Sequence, residues 1–590
     1  MKSFRLIMTV ELLARARASL ILAAALLATS AGWAQTIYVD VNTGDDGRTG
    51  EGDWTNAVAT ISNGVALAGA GGPVLVATGR YEVAVNISIT AGITLRSWNN
   101  GELDPTNTVV DGQGVARCLY MSHADAMVAG FTFTNGNGVS STHNGYGGGV
   151  YLRRGTISNC IVSGNSADER GGGIYNDNEN NYSLIIDCTI AGNIQTNTGV
   201  TALMGGGGVY IRSWGTLRNS RVLNNEAKSL TLYCGGGGVL WTTVGNSVME
   251  ISGCTIAFNT AYMSGGGVSL SSRAPSGAVF RNNEIYGNAI VGSASSRRGG
   301  GVAISEPYLG FVIDSCRIVS NTCNNFGSGI SITDGGKTGE LGLTITNCTI
   351  GYNSGSCAAI ERQWGGGVAA TNSIYDYRII NSTLEYNTNT TVNGYGGAVS
   401  FFYTGIWIEG CRIRGNRADI YGGVYFEGPN KNPESPSVLR NCLITENKSA
   451  IYCLNIIKNG WIDNCTIVSN TASGATGGLV VDGGAVSNTI CYYNTGSTHP
   501  DWSGSGTMGY NCFSTNDFGT YPTIITNAPL FSDSDHRLSS QSPCVNAGAN
   551  QDWMNIAVDL DGHPRLDRFI WLVDMGAYEF QPSGCLISTY

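Results

Sequence analysis

One motif recurs along most of this 590-residue chain and limits the folds that it can adopt. The motif reads apolar-x-x-Cys-x-Ile-x-x-Asn, as in residues 185–193, and a glycine block ending in valine follows it, as in residues 206–209. The cysteine column of the motif holds Gly130, Cys160, Cys188, Ser220, Cys254, Asn283, Cys316, Cys348, Ser382, Cys411, Cys442, Cys465 and Thr489. An asparagine stands five residues after each of these positions, from Asn135 to Asn494, so the period is about 30 residues.

Alternating side chains around the cysteine column predict short strands. The positions three residues before and two residues after it are apolar in nearly every copy, and polar residues stand between them, which is the two-residue period of a strand. The glycine block begins another strand. A unit this short cannot bury its own apolar face, so its copies must stack. The period matches one coil of a parallel β-helix. The rival interpretation, a propeller, has blades of about 40–45 residues with aromatic signatures that this sequence lacks.

In such a stack the asparagines of successive coils face one another. Each side-chain amide then donates to the asparagine of the next coil, which satisfies a row of buried polar groups. Asparagine also tolerates the left-handed backbone conformation that a corner requires.

Composition and the N-terminus exclude some classes of protein. The net charge of −10 argues against a nucleic-acid partner. With 42% apolar and only 13% charged residues, the chain is not of the disordered type. Lys2 and Arg5 precede an apolar run at residues 20–28, and small residues lead to Ala34, which predicts a signal peptide over 1–34 and export. No later run is long enough for a membrane helix, so we expect no transmembrane segment in the mature chain.

Several segments resemble known families. The Ile-x-x-Asn and glycine-block pattern, with GGAV at 396–399, resembles the repeats of polymorphic outer membrane proteins, and more broadly the right-handed parallel β-helices of the pectin-lyase-like superfamily. This resemblance covers about residues 120–500 and implies an N-terminal capping helix from about Ala57 to Ala68. The segments 542–550, 559–565 and 574–580 resemble the choice-of-anchor Q module, which follows β-helices in bacterial surface proteins.

The predicted fold is therefore all-β, a right-handed parallel β-helix (solenoid) with an N-terminal capping helix and a small C-terminal module. Its domains are a signal peptide over 1–34, an N-terminal cap and first coils over 35–120, β-helix repeats over 121–508 and a choice-of-anchor-like module over 509–590.

The acidic residues form no pattern that indicates a catalytic or metal-binding site. Polysaccharide-degrading β-helices need clustered carboxylates that hold calcium or act as an acid and base pair. The acids beside the cysteine column, Asp187, Asp314, Glu409 and Asp463, lie on scattered coils and at two offsets. We therefore assign them structural or surface roles and predict no catalytic, cofactor-binding or metal-binding residue.

Two acidic segments remain alternatives for calcium. One is the loop at 176–181, for which a solvated turn is the favoured interpretation. The other is 559–565, where Asp559 and Asp561 have calcium-loop character. There the favoured interpretation is that they fix the C-terminal fold, together with Asp574 and Glu579, by capping and by pairing with Arg565.

Long inserts between the asparagine and the next glycine block predict a binding face. They follow Asn193, Asn225, Asn288 and Asn353. Inserts on one side of a solenoid map to one face. The side chains there that suit a sugar or a protein are Tyr233, Arg297, Arg298, Trp364 and Tyr395. Tolerated surface loops without a ligand are the alternative.

The cysteines predict a buried thiol ladder. Export favours disulfides, but eight of the 17 cysteines share one inward position that serine also fills. Neighbouring coils separate these side chains by about 4.8 Å, which is wider than a disulfide prefers.

Three functions stay open. The first is a surface or secreted β-helix without catalytic activity that binds glycan or protein, as an adhesin or envelope component. The second is a lyase or glycoside hydrolase acting on an acidic polysaccharide, and the third is a structural spacer. The missing catalytic motif favours the first.

Overall fold

The computed structural model describes residues 35–581 apart from 70, 140–143, 179–182, 199–203, 231–234, 243–248, 272–276, 293–296, 308–309, 334–341, 356–363, 372–376, 403–404, 428–436, 458–459, 516–521 and 567–570. The predicted signal peptide at 1–34 therefore lies outside the described residues. The described chain forms a parallel β-helix, in which all the ladders between successive coils are parallel.

A complete coil contains four strands, named here for the part of the motif that they contain. The glycine-block strands are Ile87–Ile89, Leu119–Met121, Val150–Leu152, Ile174–Asn178, Val209–Ser213, Val239–Thr242, Val268–Ser271, Val302–Ser305, Ile330–Thr333, Val368–Thr371, Val399–Phe402, Val424–Glu427 and Tyr452–Ile457. The pre-cysteine strands are Ile37–Val39, Pro73–Ala77, Thr94–Trp98, Met127–Ala129, Gly155–Ser158, Ser183–Ile186, Gly215–Arg218, Met249–Ser252, Val279–Arg281, Phe311–Asp314, Leu343–Thr346, Tyr377–Ile380, Ile406–Glu409, Val438–Arg440 and Trp461–Asp463. Two longer strands, Thr476–Ser487 and Trp502–Gly509, continue both ladders at the C-terminal end.

The other two strands of the coil lie after the cysteine column. The post-cysteine strands are Gly79–Glu82, Thr108–Asp111, Thr132–Thr134, Ile161–Ser163, Thr189–Ala191, Arg221–Leu223, Thr255–Ala257, Glu284–Tyr286, Arg317–Val319, Thr349–Gly351, Thr383–Glu385, Arg412–Arg414, Leu443–Thr445, Thr466–Val468, Ile490–Tyr492, Asn511–Phe513 and Ile524–Ile525. The post-asparagine strands are Asn137–Gly138, Ser166–Ala167, Ile194–Gln195, Glu226–Ala227, Thr260–Ala261, Ala289–Ile290, Ser354–Gly355, Thr388–Asn389, Arg417–Ala418, Lys448–Ser449 and Thr471–Ala472. The post-cysteine ladder thus continues beyond residue 508, where the sequence placed the end of the repeats.

Like residues stack on like residues because the register is constant from coil to coil. In the post-cysteine ladder Ile190 pairs with Val222, and Val222 pairs with Ile256. All three are fully buried, whereas most of the residues on either side of them are partly or fully exposed. One continuous apolar core therefore runs from Ile37 to Phe513.

The predicted asparagine ladder is present and is buried. Asn193 shows the pattern of an internal member: its backbone N–H and its Nδ2 both donate to Asn225 Oδ1 at 2.9 Å, and Nδ2 also donates to Val162 O at 2.9 Å. The ladder begins at the backbone N–H of Gly136, which donates to Asn165 Oδ1. It ends where Asn494 donates to the carboxylate of Asp501.

The first copy of the motif was placed one residue too early. Thr132 pairs with Ile161, so Phe131 occupies the cysteine column and Gly136 takes the ladder position. Asn135 is exposed and its amide donates to Asp111 instead. The spacing alone could not reveal this shift, because Asn135 continues the five-residue spacing of the other copies.

The left-handed corner lies one residue before the ladder, which corrects the prediction that the ladder asparagines adopt it. The residues with positive φ at this corner are Asn135, Gly164, Gly192, Asn224, Phe258, Gly287, Ser320, Tyr352, Tyr386, Gly415, Glu446, Ser469 and Tyr493. The backbone of the ladder asparagines is thereby free to extend into the next strand.

The cysteine column forms a second row of hydrogen bonds. The backbone N–H of Cys348 donates to Ser382 Oγ at 3.1 Å, and that of Cys316 lies 3.4 Å from the sulfur of Cys348. Each thiol in turn lies near a backbone carbonyl, as Cys348 does with Thr346 O at 3.1 Å. The eight cysteines of the column are buried free thiols, as are the other six cysteines that the structure describes.

The capping helix spans Ile61–Ala68 and so begins four residues later than predicted. Thr60 caps it by accepting the N–H of Asn63, and Asp46 accepts the N–H groups of Ala59 and Thr60. These two acceptors hold the preceding residues in an extended conformation. The buried face of the helix packs on the first strands. In the described part of the chain no helix is long and apolar enough to cross a membrane.

The C-terminal module packs against the side of the last coils. Leu443, Val468 and Ile490 of the post-cysteine strands share an apolar cluster with Met575 and Tyr578. The turn asparagines before the cysteine column add hydrogen bonds: Asn441 Nδ2 donates to Val558 O at 2.8 Å, Asn464 to Asp574 O and Asn488 to Ala549 O. The module therefore covers the post-cysteine face of these coils and leaves that of the earlier coils open.

Candidate functional site

The open part of the post-cysteine face extends along the β-helix to the coil of Arg412. On that part, in the strands from Thr132–Thr134 to Arg412–Arg414, the first residue is partly or fully exposed, and Arg221, Glu284 and Arg317 are the exposed charged members. In the next three strands the same position, held by Leu443, Thr466 and Ile490, is buried beside the C-terminal module. The open face is thus one parallel sheet of the β-helix, and the C-terminal module bounds it at one end.

Aromatic side chains project from this face at the left-handed corner, and we call them, with their partner Tyr286, the aromatic row. The row consists of Phe258, Tyr286, Tyr352 and Tyr386. The rings of Phe258 and Tyr286 meet edge to face with centroids 5.3 Å apart, and those of Tyr352 and Tyr386 stack at 5.1 Å. Phe258 is 53% exposed and Tyr352 is 51% exposed.

Three members of the row have a strained backbone. Phe258, Tyr352 and Tyr386 have φ between 51° and 57°. For a bulky residue this conformation is an outlier that costs about 1–2 kcal/mol. Many other coils place glycine, asparagine or serine there, which relieves that cost. Phe258 and Tyr352, which are half exposed, recover little of this cost by burial.

Glycines in the following coils leave the space that the rings of Phe258 and Tyr386 occupy. A β-carbon added at Gly287 would lie 2.7 Å from the Phe258 ring, and one added at Gly415 would lie 2.4 Å from the Tyr386 ring. Both contacts are shorter than real side chains allow. Glycine at these two positions therefore lets the rings of Phe258 and Tyr386 pack closely against the backbone of the next coil.

Charged groups border the row toward the module. Arg414 makes two hydrogen bonds to Glu446, at 3.0 and 3.1 Å. His536 of the module lies near this ion pair, and burial lowers its pKa, so it is neutral at pH 7.

A cleft of about 630 Å³ opens where the module meets the open face. Its lining includes Glu409, Arg412, Val558 and Asp561. Arg412 lies 3.8 Å from Asp561, and hydrogen bonds from Arg537 lower the pKa of Asp561 and keep it ionised. The cleft thus combines fixed charges with the exposed apolar side chain of Val558.

The acids singled out in the sequence do not form a cluster. Asp187 is exposed in a turn, and Asp314 accepts a hydrogen bond from Asn347. Glu409 accepts the indole N–H of Trp407 at 2.7 Å.

Asp463 belongs to a buried contact between the coils and the module. It pairs with Arg440 at 3.3 Å and accepts hydrogen bonds from Ser487 and Gln551. The guanidinium of Arg440 lies over the rings of Trp407 and Trp553, at 4.9 and 4.2 Å. This arrangement holds the module in place.

The two segments considered for calcium have their described carboxylates engaged. Asp177 accepts the hydroxyl of Tyr151 and pairs with Arg212, while residues 179–181 lie outside the described part of the chain. Asp559 accepts the backbone N–H groups of Asp561, His563 and Glu579. Within the described residues, no group of three or more His, Cys, Asp or Glu side chains is placed to hold a metal ion.

Arg565 lies at the centre of the C-terminal module. It is fully buried, pairs with Glu579 at 3.0 Å and donates to Gly576 O. Asp574 accepts the N–H groups of Asn546 and Phe580. These contacts agree with the structural interpretation of this segment.

Most of the long inserts and Tyr233 lie outside the described residues, so the binding role of the inserts stays a prediction. Trp364 and Tyr395 are described and are half-buried. They stack on each other at 5.3 Å and pack with Phe402, while Arg297 is buried. The rings of Trp364 and Tyr395 are therefore used in packing. The sequence analysis did not identify the aromatic row, because its members differ from other aromatic residues only in their backbone conformation.

No protein-family model matches the sequence, and no curated protein matches it. Similar solved structures include pectate lyase Pel9A, at 14% identity over 93% of this chain and 98% of the other, with a TM-score of 0.22. An alginate lyase from Paenibacillus sp. str. FPU-7 is 12% identical over 63% of this chain and 98% of its own, with a TM-score of 0.22. PfbA, a surface adhesin of Streptococcus pneumoniae, is 10% identical over 81% and 93%, with a TM-score of 0.23. The strand ladders themselves show the parallel β-helix, and likenesses this distant carry no argument about activity.

Proposed function

We propose that this chain is an exported protein that binds a polysaccharide along the aromatic row without transforming it. The observation that carries the proposal is that Phe258, Tyr352 and Tyr386 retain a strained backbone although Phe258 and Tyr352 are half exposed and Tyr386 is only partly buried. Strain of this kind clusters at functional sites, because selection for stability alone would remove it. Exposed rings bordered by charged and polar groups suit the mixed apolar and hydroxyl surface of a sugar chain.

The location outside the cell is part of this proposal. It is supported by the signal-peptide pattern at 1–34 and by the resemblance of the C-terminal segments to the choice-of-anchor Q module. The resemblance of the repeats to those of polymorphic outer membrane proteins favours a surface protein.

The test compares binding to a panel of immobilised polysaccharides by wild type and by the triple variant Phe258→Asn, Tyr352→Asn, Tyr386→Asn. Asparagine keeps the left-handed corner without strain. We expect the variant to fold and to bind at least about tenfold more weakly, since each aromatic contact contributes about 0.5–1.5 kcal/mol. The matched control is Trp461→Ala, which removes an aromatic side chain that is 50% exposed on the pre-cysteine face.

Two results would contradict the proposal. Equal loss of binding in the Trp461→Ala control would show that the row has no special role. Release of sugar fragments from any polysaccharide by the wild type would instead support the lyase or hydrolase alternative.

A further inference from the structure

Two basic side chains stand next to each other on the post-asparagine strands. The outward position of these strands holds, along the β-helix, Asn137, Ser166, Ile194, Glu226, Thr260, Ala289, Ser354, Thr388, Arg417, Lys448 and Thr471. Arg417 pairs with Lys448 in register, and both are exposed. They are the only cations among these positions, in a chain whose net charge is −10.

The positive charges of Arg417 and Lys448 repel each other unless an anion lies near them. Adjacent strands lie about 4.8 Å apart, and like charges directly opposite each other destabilise a sheet. Among the residues that the structure describes, neither Arg417 nor Lys448 has a carboxylate within ion-pair distance. The nearby acid is Asp419, whose carboxylate accepts the backbone N–H of Asn393 at 2.7 Å.

The two cations line a cleft of about 410 Å³. Other lining residues are Asn389, Asp419 and Thr471, and Thr471 pairs with Lys448 in register. A planar carboxylate is satisfied by one bidentate arginine. A tetrahedral oxyanion presents three terminal oxygens, which can meet Arg417, Lys448 and the hydroxyl of Thr471 from different directions.

We infer that this cleft is a binding site for a tetrahedral oxyanion, namely a sulfate ester carried by the glycan that lies along the aromatic row. The cleft adjoins the row: Asn389 follows Tyr386 by three residues, and Arg417 follows Gly415, which supports the Tyr386 ring. The glycan part of this inference rests on the proposed function, whereas the anion site stands on Arg417 and Lys448.

The test has an ion arm and a glycan arm. In the ion arm, inorganic sulfate is titrated into the full chain at constant ionic strength and followed by calorimetry. In the glycan arm, binding to a sulfated galactan is compared with binding to the same polymer after desulfation and to a polyuronate. The variant is Arg417→Gln, Lys448→Gln, and its matched control is Arg281→Gln, Arg378→Gln, which removes two exposed cations from the pre-cysteine strands.

We expect the wild type and the control to bind sulfate, and to bind the sulfated galactan at least about tenfold more tightly than the desulfated one. The Arg417→Gln, Lys448→Gln variant should lose sulfate binding and most of this preference. Unchanged sulfate binding or an unchanged preference in that variant would overturn the site. Equal affinity of the wild type for the polyuronate would overturn the tetrahedral assignment. Sulfate binding that the variant abolishes, without binding to any glycan, would support the anion site and refute the proposed function.

Discussion

Replacing Asn353 by leucine removes one internal member of the asparagine ladder. Its Nδ2 donates to Ile318 O and Asn387 Oδ1, both at 2.9 Å, and its Oδ1 accepts the backbone N–H and the Nδ2 of Asn321, both at 3.0 Å. All four bonds are lost in the variant. The backbone N–H of Asn321 is then left without this acceptor inside the protein.

The expected cost follows from these contacts. Four lost hydrogen bonds, each with a net contribution of about 1 kcal/mol and one of them that of the stranded Asn321 N–H, give a local loss of about 4 kcal/mol. Leucine regains little of this, because a β-carbon at Gly329 would already lie 2.9 Å from the Asn353 amide, so a branched side chain is crowded.

Hydrogen–deuterium exchange measures this loss where it occurs, since long repeat arrays do not unfold as one unit. Amides near Asn321 and Asn353 should exchange about 10²–10³-fold faster than in the wild type, while amides near Ile190 should not change. The control is Asn137→Leu, which removes a single hydrogen bond to Gly114 O from an exposed site. Equal protection in the Asn353 and Asn137 variants would refute the account of the ladder.

Three further predictions concern other parts of the fold. All eight thiols of the cysteine column are buried, and burial raises the pKa of the Cys254 thiol to about 12. Because burial excludes the reagent, iodoacetamide at pH 8 should leave the column unlabelled in the native protein and should label it after denaturation without reductant; labelling that still needs reductant would indicate disulfides. Burial raises the pKa of Glu579 from 4.5 to about 9, so the contribution of Glu579 to the stability of the C-terminal module should be fully present below pH 4.5 and be lost as the pH rises to about 9, and Glu579→Gln should remove this part of the pH dependence in urea unfolding followed by tryptophan fluorescence. Asp501→Ala removes the acceptor at the end of the ladder, so limited proteolysis should cut near Asn494 faster than in the wild type, with no change near Asn193.

The repeating part of the fold could be predicted because the same side chains meet in every coil. Cys348 and Asn353 each contact their counterparts in the neighbouring coils, so the sequence period is also the contact period. The prediction was wrong at the first coil, where Gly136 rather than Asn135 holds the ladder position. It could not place the C-terminal module, since contacts such as Asn441 with Val558 join residues 117 positions apart without any repeated pattern.

The aromatic row escaped prediction for a different reason. Phe258, Tyr352 and Tyr386 stand one residue before a ladder asparagine, and in a sequence they are ordinary aromatic residues. They become unusual only when that column is known to be left-handed. A signal was present: the same column otherwise holds mainly glycine, asparagine and serine, which are typical of a turn.

The asparagine ladder has a consequence for how such a chain evolves. Ladder partners are 23 residues apart at Asn447 and Asn470 but 34 apart at Asn353 and Asn387, although their hydrogen bonds are the same. The length of the loops can therefore change in evolution without changing the geometry of the core. Duplication of one coil adds an internal rung without disturbing its neighbours, whereas the two ends, a backbone N–H at Gly136 and a carboxylate at Asp501, have no duplicate elsewhere in the ladder. We therefore expect related proteins to differ in the number of coils between these two ends, while each of them keeps one residue of the Gly136 type and one of the Asp501 type at the ends of the ladder.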